Sequence, residues 1–162
     1  DRLESGSGFQ SFQFREFEFA LGHKQPAALE RYPAGSAHRA RLERRLAAPT
    51  LWDGFLRYLS KDGAAVPAEA LARDVTQPIA PSAEMQSALV AVYRAGGMAA
   101  QVCERLVDLD EWVQEWRYRH VKMVQRTIGT RPGTGGSSGA AYLATTLMQP
   151  LFPDLWAIRA RL

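Results

Sequence analysis

The amino-acid sequence predicts an all-α protein that forms a single domain over residues 1–162. Three observations support this prediction. Apolar residues recur at spacings of three and four through most of the chain, as they do on the buried face of a helix. No segment shows the sustained apolar–polar alternation of a β-strand with hairpin turns at its ends. Serine, threonine, glycine and proline fall at intervals that suit the ends of helices.

The first half of the chain contains three segments of helical length. A helix over 9–21 is predicted to end at Gly22. Ser36 and Thr50 are predicted N-caps, each accepting a hydrogen bond from the first turn of the helix that follows it. The helix after Ser36 runs to about Leu46. The predicted buried face of the helix after Thr50 consists of Leu51, Phe55, Tyr58 and Leu59.

The second half begins with a connector that is punctuated by three prolines, Pro67, Pro78 and Pro81. A helix over 82–94 breaks near Gly96, and a long helix over 99–128 follows. The segment 131–136 is a predicted loop, and a serine after it is placed to cap another helix. Pro153 is expected to open a last helical turn, because proline is favoured in the first position of a helix.

The composition is that of a globular protein, with 46% hydrophobic and 23% charged residues. The net charge of +3 is too small to indicate nucleic-acid binding, and the mixed charges of 39–45 predict a solvated helix face. No apolar run reaches the length of a membrane span. The single cysteine, Cys103, is expected to be a small buried residue and suits a reducing compartment. We therefore expect a cytoplasmic protein that binds neither nucleic acid nor a membrane.

On the predicted long helix, His120 lies in the middle of an apolar stripe. The stripe consists of Leu109, Val113, Trp116, His120, Val124 and Ile128. Four basic residues are predicted to lie on other faces of this helix, namely Arg117, Arg119, Lys122 and Arg126. A buried imidazole is satisfied either by hydrogen bonds within the core or by a metal, and the stripe alone leaves both open. Since neither a second histidine nor a carboxylate shares the stripe, a zinc or di-iron site is disfavoured. Haem stays open, because it needs only one histidine.

The segment G-T-G-G-S-S-G at 133–139 follows the long helix. It lacks the G-K-[ST] ending and the preceding strand of a phosphate loop. It fits G-x-S-x-G, but a nucleophile elbow needs a strand before it and a histidine after it, and no histidine follows His120. Two interpretations remain open. The glycines and hydroxyls suit a lid that closes over a polar ligand, and they also suit a flexible linker between two helices.

Three blocks of sequence together indicate a family. Ser7 begins S-G-F-Q-S-F-Q-F-R-E-F-E, and Trp116 begins W-R-Y-R-H, which is followed by R-T-I-G and the glycine segment. Phe152 begins F-P-D-L-W near the end of the chain. In order and spacing, these blocks resemble those of the tryptophan 2,3-dioxygenases, the haem enzymes that open the indole ring. The family pattern is S-G-F-Q-S-x-Q-[YF]-R-x-x-E for the first block and F-P-[ED]-L-[WF] for the last.

The resemblance implies a fold, a cofactor and a reaction. The fold is an all-α helical bundle of the tryptophan and indoleamine dioxygenase type, assembled as a homotetramer. The cofactor is haem b, with ferrous iron in the active state. The reaction inserts both atoms of O2 into L-tryptophan to give N-formyl-L-kynurenine, which is the first step of tryptophan catabolism by the kynurenine pathway.

The resemblance also implies roles for individual residues. His120 falls at the proximal ligand of the haem iron, and Thr134 falls at the loop threonine that meets the ammonium group of the substrate. Ser7 and Gly8 fall in the segment that borders the haem on its substrate side. Phe14 stands where the family often has tyrosine, so a hydroxyl contact is absent there. The lid loop comprises Gly133, Gly135, Gly136 and Ser137.

Other parts of the family's active site are expected N-terminal of Asp1. These are the distal histidine, the arginine that binds the substrate carboxylate and the first aromatic pocket residues. We therefore expect no catalytic residue within this segment, which corresponds to the C-terminal part of the subunit. Two alternatives stay open: a haem oxygenase of the same fold that acts on a substituted indole in specialised metabolism, and a non-catalytic haem-binding helical module. The intact glycine segment disfavours the module, because holding haem does not require it.

Overall fold

The computed structural model describes residues 11–129, 147 and 149–162. All regular structure within these ranges is helical, which confirms the predicted all-α fold. None of the described helices is long and apolar enough to cross a membrane. The first sequence block up to Gln10, and the glycine segment with the helix expected after it, lie outside the described residues.

Seven α-helices and two 3-10 helices lie in the described ranges. Those of the first half are α1 (Phe12–Leu21), a 3-10 helix (Pro26–Arg31), α2 (Ala37–Ala47) and α3 (Leu51–Lys61). Those of the second half are α4 (Ala68–Leu71), α5 (Ala83–Ala95), α6 (Gly97–Ile128), α7 (Pro153–Ala157) and a 3-10 helix (Arg159–Arg161). The 3-10 helix between α1 and α2 was not predicted. The connector between α3 and α5 contains one short helix, α4.

Hydroxyl side chains cap the start of α2 and α3, as the sequence predicts. Ser36 accepts a hydrogen bond from the backbone of α2, and Thr50 accepts one from the backbone N–H of Asp53. The carboxylate of Asp53 in turn accepts a bond from the backbone N–H of Thr50, which completes a capping box. At the end of α1, Gly22 has φ 123°, and a Cβ there would lie 2.2 Å from Cδ1 of Ile79. The positive φ favours glycine at this helix end, and any larger residue would also displace the Ile79 side chain.

Two groups of buried residues hold the helices together. The larger core lies between α3, α5, α6 and α7, and its fully buried members include Leu59, Leu89, Cys103, Phe152 and Leu155. A smaller core lies where α1 packs on α2, with Phe19 and Leu42 at its centre. The burial of Cys103 agrees with its expected role in the core.

Two predicted helix faces are partly wrong. On α3, Leu51 is exposed, whereas Trp52 and Leu56 are buried against the larger core. On α6, Trp116 is 40% exposed, and Arg117 is completely buried instead of lying on an outer face. On α6, tertiary contacts explain the difference. Groups from α1 and the C-terminal segment pair with the Arg117 guanidinium, whereas helix periodicity alone places this charge in solvent.

Candidate functional site

His120 lies on the buried face of α6 and is 8% exposed. Burial lowers the pKa of its imidazole, because the charged form of the ring loses its hydration. The ring is therefore neutral at physiological pH. Neutral imidazole is the form of histidine that ligates iron.

An aromatic stack connects α1 to this histidine. The ring of Trp116 lies over His120 with centroids 5.4 Å apart and planes 21° apart. Phe14 of α1 also stacks on Trp116, with centroids 4.5 Å apart. Next to the stack, Val121 is buried against Phe14 and Leu147. One flank of His120 is therefore an apolar wall built by two helices.

Arg117 lies one turn before His120 and joins three parts of the chain. Its Nη1 donates a hydrogen bond of 2.8 Å to the backbone carbonyl of Gln149. Its Nη2 lies 3.5 Å from Oε1 of Glu18 in α1 and 3.5 Å from Nδ1 of His23. The turn of α6 that precedes His120 is thereby tied to α1 and to the C-terminal segment.

Charges in this cluster are shaped mainly by burial. Desolvation raises the pKa of Glu18, although Arg15 at 2.8 Å and Arg117 both lower it. Desolvation also lowers the pKa of Arg117, and the Glu18 carboxylate opposes this shift. The pKa of His23 falls to about 4, first because the ring is desolvated and then because two guanidinium groups lie near it. At neutral pH, His23 is therefore neutral, and two guanidinium groups share the Glu18 carboxylate.

Asp110, two turns before Arg117, is a second buried charge on α6. Its Oδ2 accepts hydrogen bonds from the backbone N–H groups of Leu151 and Phe152, at 2.9 and 3.1 Å. It also accepts one from Nε1 of Trp156 at 2.9 Å. The prediction that no carboxylate shares the buried face of this helix is thus wrong. Asp110 fastens the start of α7 to α6.

The structure describes only part of the predicted site. His120 is buried on the long helix as predicted, and Phe14 lies close to it through Trp116. The other predicted site residues lie outside the described ranges: Ser7, Gly8, Gly133, Thr134, Gly135, Gly136 and Ser137. Within the described part of the chain, no three His, Cys, Asp or Glu side chains are grouped closely enough to hold a metal ion.

Sequence reasoning missed three residues around this helix, namely Asp110, Arg117 and Glu18. A signal for two of them was present. Positions 110, 113, 117, 120 and 121 are spaced as one helical face, so an acid and a base share the face of His120. Glu18 is the last residue of the first sequence block, but nothing there marks it as the partner of Arg117, because the two residues are 99 apart in sequence and meet only in the folded protein.

The fold and site define an all-α protein in which one long helix presents a buried, neutral histidine beside an aromatic stack. Comparison with known proteins agrees with this description. The family model for tryptophan 2,3-dioxygenase matches residues 85–162, which include most of α5 and all of α6 and α7. The chain belongs to the tryptophan 2,3-dioxygenase family.

Three relatives show how far the similarity extends. The tryptophan 2,3-dioxygenase of Herpetosiphon aurantiacus is 60% identical over 99% of this chain and 61% of its own length. That of Anaeromyxobacter sp. strain K is 58% identical over 99% of this chain and 60% of its own length. That of Bacillus thuringiensis subsp. konkukian is 43% identical over all of this chain and 59% of its own length. The chain therefore spans about 60% of the length of these relatives.

Proposed function

We propose that this chain provides the haem-ligating part of an enzyme that opens the indole ring of L-tryptophan with O2. The product is N-formyl-L-kynurenine, and the reaction is the first step of tryptophan catabolism by the kynurenine pathway. The observation that carries the proposal is the relationship to proteins named tryptophan 2,3-dioxygenase, at 60% identity over 99% of the chain. We further propose a cytoplasmic homotetramer that contains haem b.

His120 fits the role of the protein ligand to a haem iron. Its imidazole is buried, its pKa is lowered so that the ring is neutral, and aromatic rings flank it. A single imidazole would suffice, because a porphyrin supplies four nitrogen ligands of its own. When bound, haem supplies the binding and reduction of O2 that the amino-acid side chains cannot perform.

The surrounding residues would hold this ligand in place. The bonds of Arg117 to the Gln149 carbonyl and towards Glu18 tie down the turn of α6 just before His120. The Phe14–Trp116 stack restricts rotation of the imidazole and keeps water from that side of the ring. Because the imidazole is already oriented before the cofactor and the substrate bind, its rotational entropy is not lost during binding or reaction.

The substrate would be held mainly by segments outside the described residues. We propose that Thr134 hydrogen-bonds the ammonium group of L-tryptophan, and that Ser7 and Gly8 border the haem on the substrate side. The glycines at 133, 135 and 136, together with Ser137, would form a lid that closes over the amino-acid end. Closure of such a lid excludes water and completes the site.

Replacing the proposed iron ligand tests the cofactor assignment. His120→Ala, expressed from the complete reading frame, should lose tight haem binding and the Soret band of the histidine-ligated haem. His38→Ala is the matched control, because His38 is exposed and stacks only on Phe12 of α1. A His120 variant that retains the normal ferrous spectrum would show that another residue ligates the iron.

Replacing Thr134 tests the substrate assignment. Thr134→Ala should lower kcat/KM for L-tryptophan, because one hydrogen bond to a charged group is lost. The decrease should correspond to about 1.5–3 kcal/mol of activation free energy. Turnover of an analogue without the amino group should fall much less. The wild-type protein and the Thr134→Ala variant should be compared at equal haem content, with product formation as the readout. Equal losses on the two substrates would mean that Thr134 acts in loop closure instead of binding the ammonium group.

A further inference from the structure

A cavity of about 400 Å³ lies where the connector around α4 crosses α3, the first turn of α5 and α7. Its lining shares no residue with the cluster around His120. We call it the connector pocket, and its apolar floor consists of Trp52, Leu56, Ile79 and Met85. A volume of this size, with an apolar floor and a few polar groups, is typical of sites for small molecules.

The charges around the connector pocket are mainly negative. Its single guanidinium group, on Arg73, is occupied by the chain itself. Arg73 donates to both carboxylate oxygens of Asp53, at 2.6 and 3.0 Å, and to the Gln77 carbonyl at 3.0 Å. Four carboxylates also line the pocket, on Glu69, Asp74, Glu84 and Asp154. The lining therefore favours a cation over an anion.

Asp154 is the buried member of this group, at 2% exposed. Its Oδ1 accepts two hydrogen bonds, from the backbone N–H of Ser82 at 3.0 Å and from Nε2 of Gln86 at 2.9 Å. Its Oδ2 accepts none from any residue that the structure describes. Because Asp154 lines the cavity and its Oδ2 is not fully buried, Oδ2 is reached from the cavity, where the donor of a ligand can replace the water that otherwise hydrates it.

We propose that the connector pocket binds a small organic ammonium ion. The apolar body of the ligand lies over the floor formed by Trp52 and Leu56, and its ammonium group donates to Oδ2 of Asp154. The exposed Glu84 at the rim adds attraction without needing direct contact. A neutral ligand of the same shape could donate a hydrogen bond to Oδ2 but would lack the charge that attracts an ammonium ion to the carboxylates, and an anion would be repelled by all four of them.

Benzylamine is a suitable probe, because it joins one ammonium group to a flat apolar body. Benzyl alcohol has nearly the same shape without the charge. Binding is read by ¹⁹F NMR of haem-loaded protein in which tryptophan is replaced by 5-fluorotryptophan, including the four tryptophans of this chain. The Trp52 signal is assigned with Trp52→Phe. Benzylamine should shift the Trp52 signal with a dissociation constant in the millimolar range or below, and benzyl alcohol should bind at least about tenfold more weakly.

Asp154→Asn tests the proposed acceptor. The amide can still accept from Ser82 and Gln86 through one oxygen, but it presents an N–H group to the ligand instead of Oδ2. Affinity for benzylamine should fall at least about tenfold, and affinity for benzyl alcohol should not change. Asp108→Asn is the matched control, because Asp108 is half-exposed on α6 and pairs only with Arg105.

A second pair of variants keeps the proposal testable if Asp154→Asn does not fold. Reversing two rim charges, Glu69→Lys with Glu84→Lys, should weaken benzylamine binding several-fold more than Glu111→Lys with Glu115→Lys on α6. Both pairs change exposed residues and alter the net charge equally. Three results would overturn the proposal: no response of Trp52 to benzylamine, equal binding of amine and alcohol, or equal affinity in the rim pair and its control.

Discussion

Two buried charges on α6 hold the C-terminal segment in different ways. Asp110 collects three N–H donors on one carboxylate oxygen, all within 3.1 Å, and all three come from residues 151–156. Among the contacts described, Arg117 donates one bond of 2.8 Å to the Gln149 carbonyl and lies 3.5 Å from Glu18 and His23. The two residues lie two turns apart, about 10 Å along the helix.

The Asp110 region is therefore expected to be rigid, whereas the Arg117 region depends on groups whose charge can change. Short bonds between a carboxylate and neutral donors are strong and local, so the Asp110 region should hold its geometry under most conditions. The Arg117 region depends on partners from α1 and on burial of Glu18 and His23, both of which titrate. The Arg117 region is the one next to His120. We therefore expect changes at Asp110 to affect stability and changes at Arg117 to affect both stability and haem binding.

The largest effect is expected from Asp110→Ala. It leaves two backbone N–H groups and one indole N–H without their acceptor, and unpaired buried donors are costly. The free energy of unfolding should fall by about 3–5 kcal/mol. Denaturant unfolding followed by circular dichroism measures this change. Asp108→Asn, at a half-exposed site in the same helix, should change stability by less than about 0.5 kcal/mol. Comparable losses in the two variants would contradict the assigned role of Asp110.

Arg117→Met should have the next largest effect. Methionine fills part of the volume but leaves the Gln149 carbonyl without its donor. Glu18 keeps Arg15 at 2.8 Å, so the loss should be limited to about 2–3 kcal/mol. Haem affinity should fall as well, because the turn that carries His120 is less constrained. Arg119→Met is the control, since Arg119 is exposed and pairs only with Glu115. Normal haem affinity in a folded Arg117 variant would remove this residue from the positioning of His120.

Acid should weaken the Arg117 region through the protonation of His23. The pKa of His23 is about 4 in the folded protein and near 6.5 when unfolded. Between these values the unfolded chain binds more protons, so stability falls as pH drops from 6.5 towards 4 and is unaffected by His23 above that window. The loss should not exceed about 2 kcal/mol, because the ring is only partly buried. His23→Gln should flatten this part of the profile in chemical unfolding series. An unchanged slope would exclude His23 as its origin.

The smallest effect is expected from Trp156→Phe, which removes one of the three donors to Asp110 and keeps most of the ring. Because the Trp156 side chain is partly exposed, water can take over the lost bond. The expected loss is about 1 kcal/mol in thermal or denaturant unfolding. A loss as large as that of Asp110→Ala would show that the indole bond contributes most of the stability here, whereas we expect the three donors to Asp110 to contribute together.

The sequence alone determined the helical class, most helix ends and the position of the histidine. Local chemistry explains this success. Hydroxyls at Ser36 and Thr50 cap helices through bonds only three residues long, and Gly22 supplies a conformation that other residues avoid. Periodicity also placed His120 on the buried face, since its neighbours on that face are mostly apolar.

Only the tertiary structure decided the partners of the buried charges and the shape of the connector pocket. Arg117 is polar, so composition places it in solvent, whereas Glu18, 99 residues earlier, and the Gln149 carbonyl make its burial possible. Asp110 is likewise buried because donors about 40 residues later converge on it. The physical reason is that the cost of burying a charge is offset by groups distant in sequence, and no local pattern records where the chain will bring them.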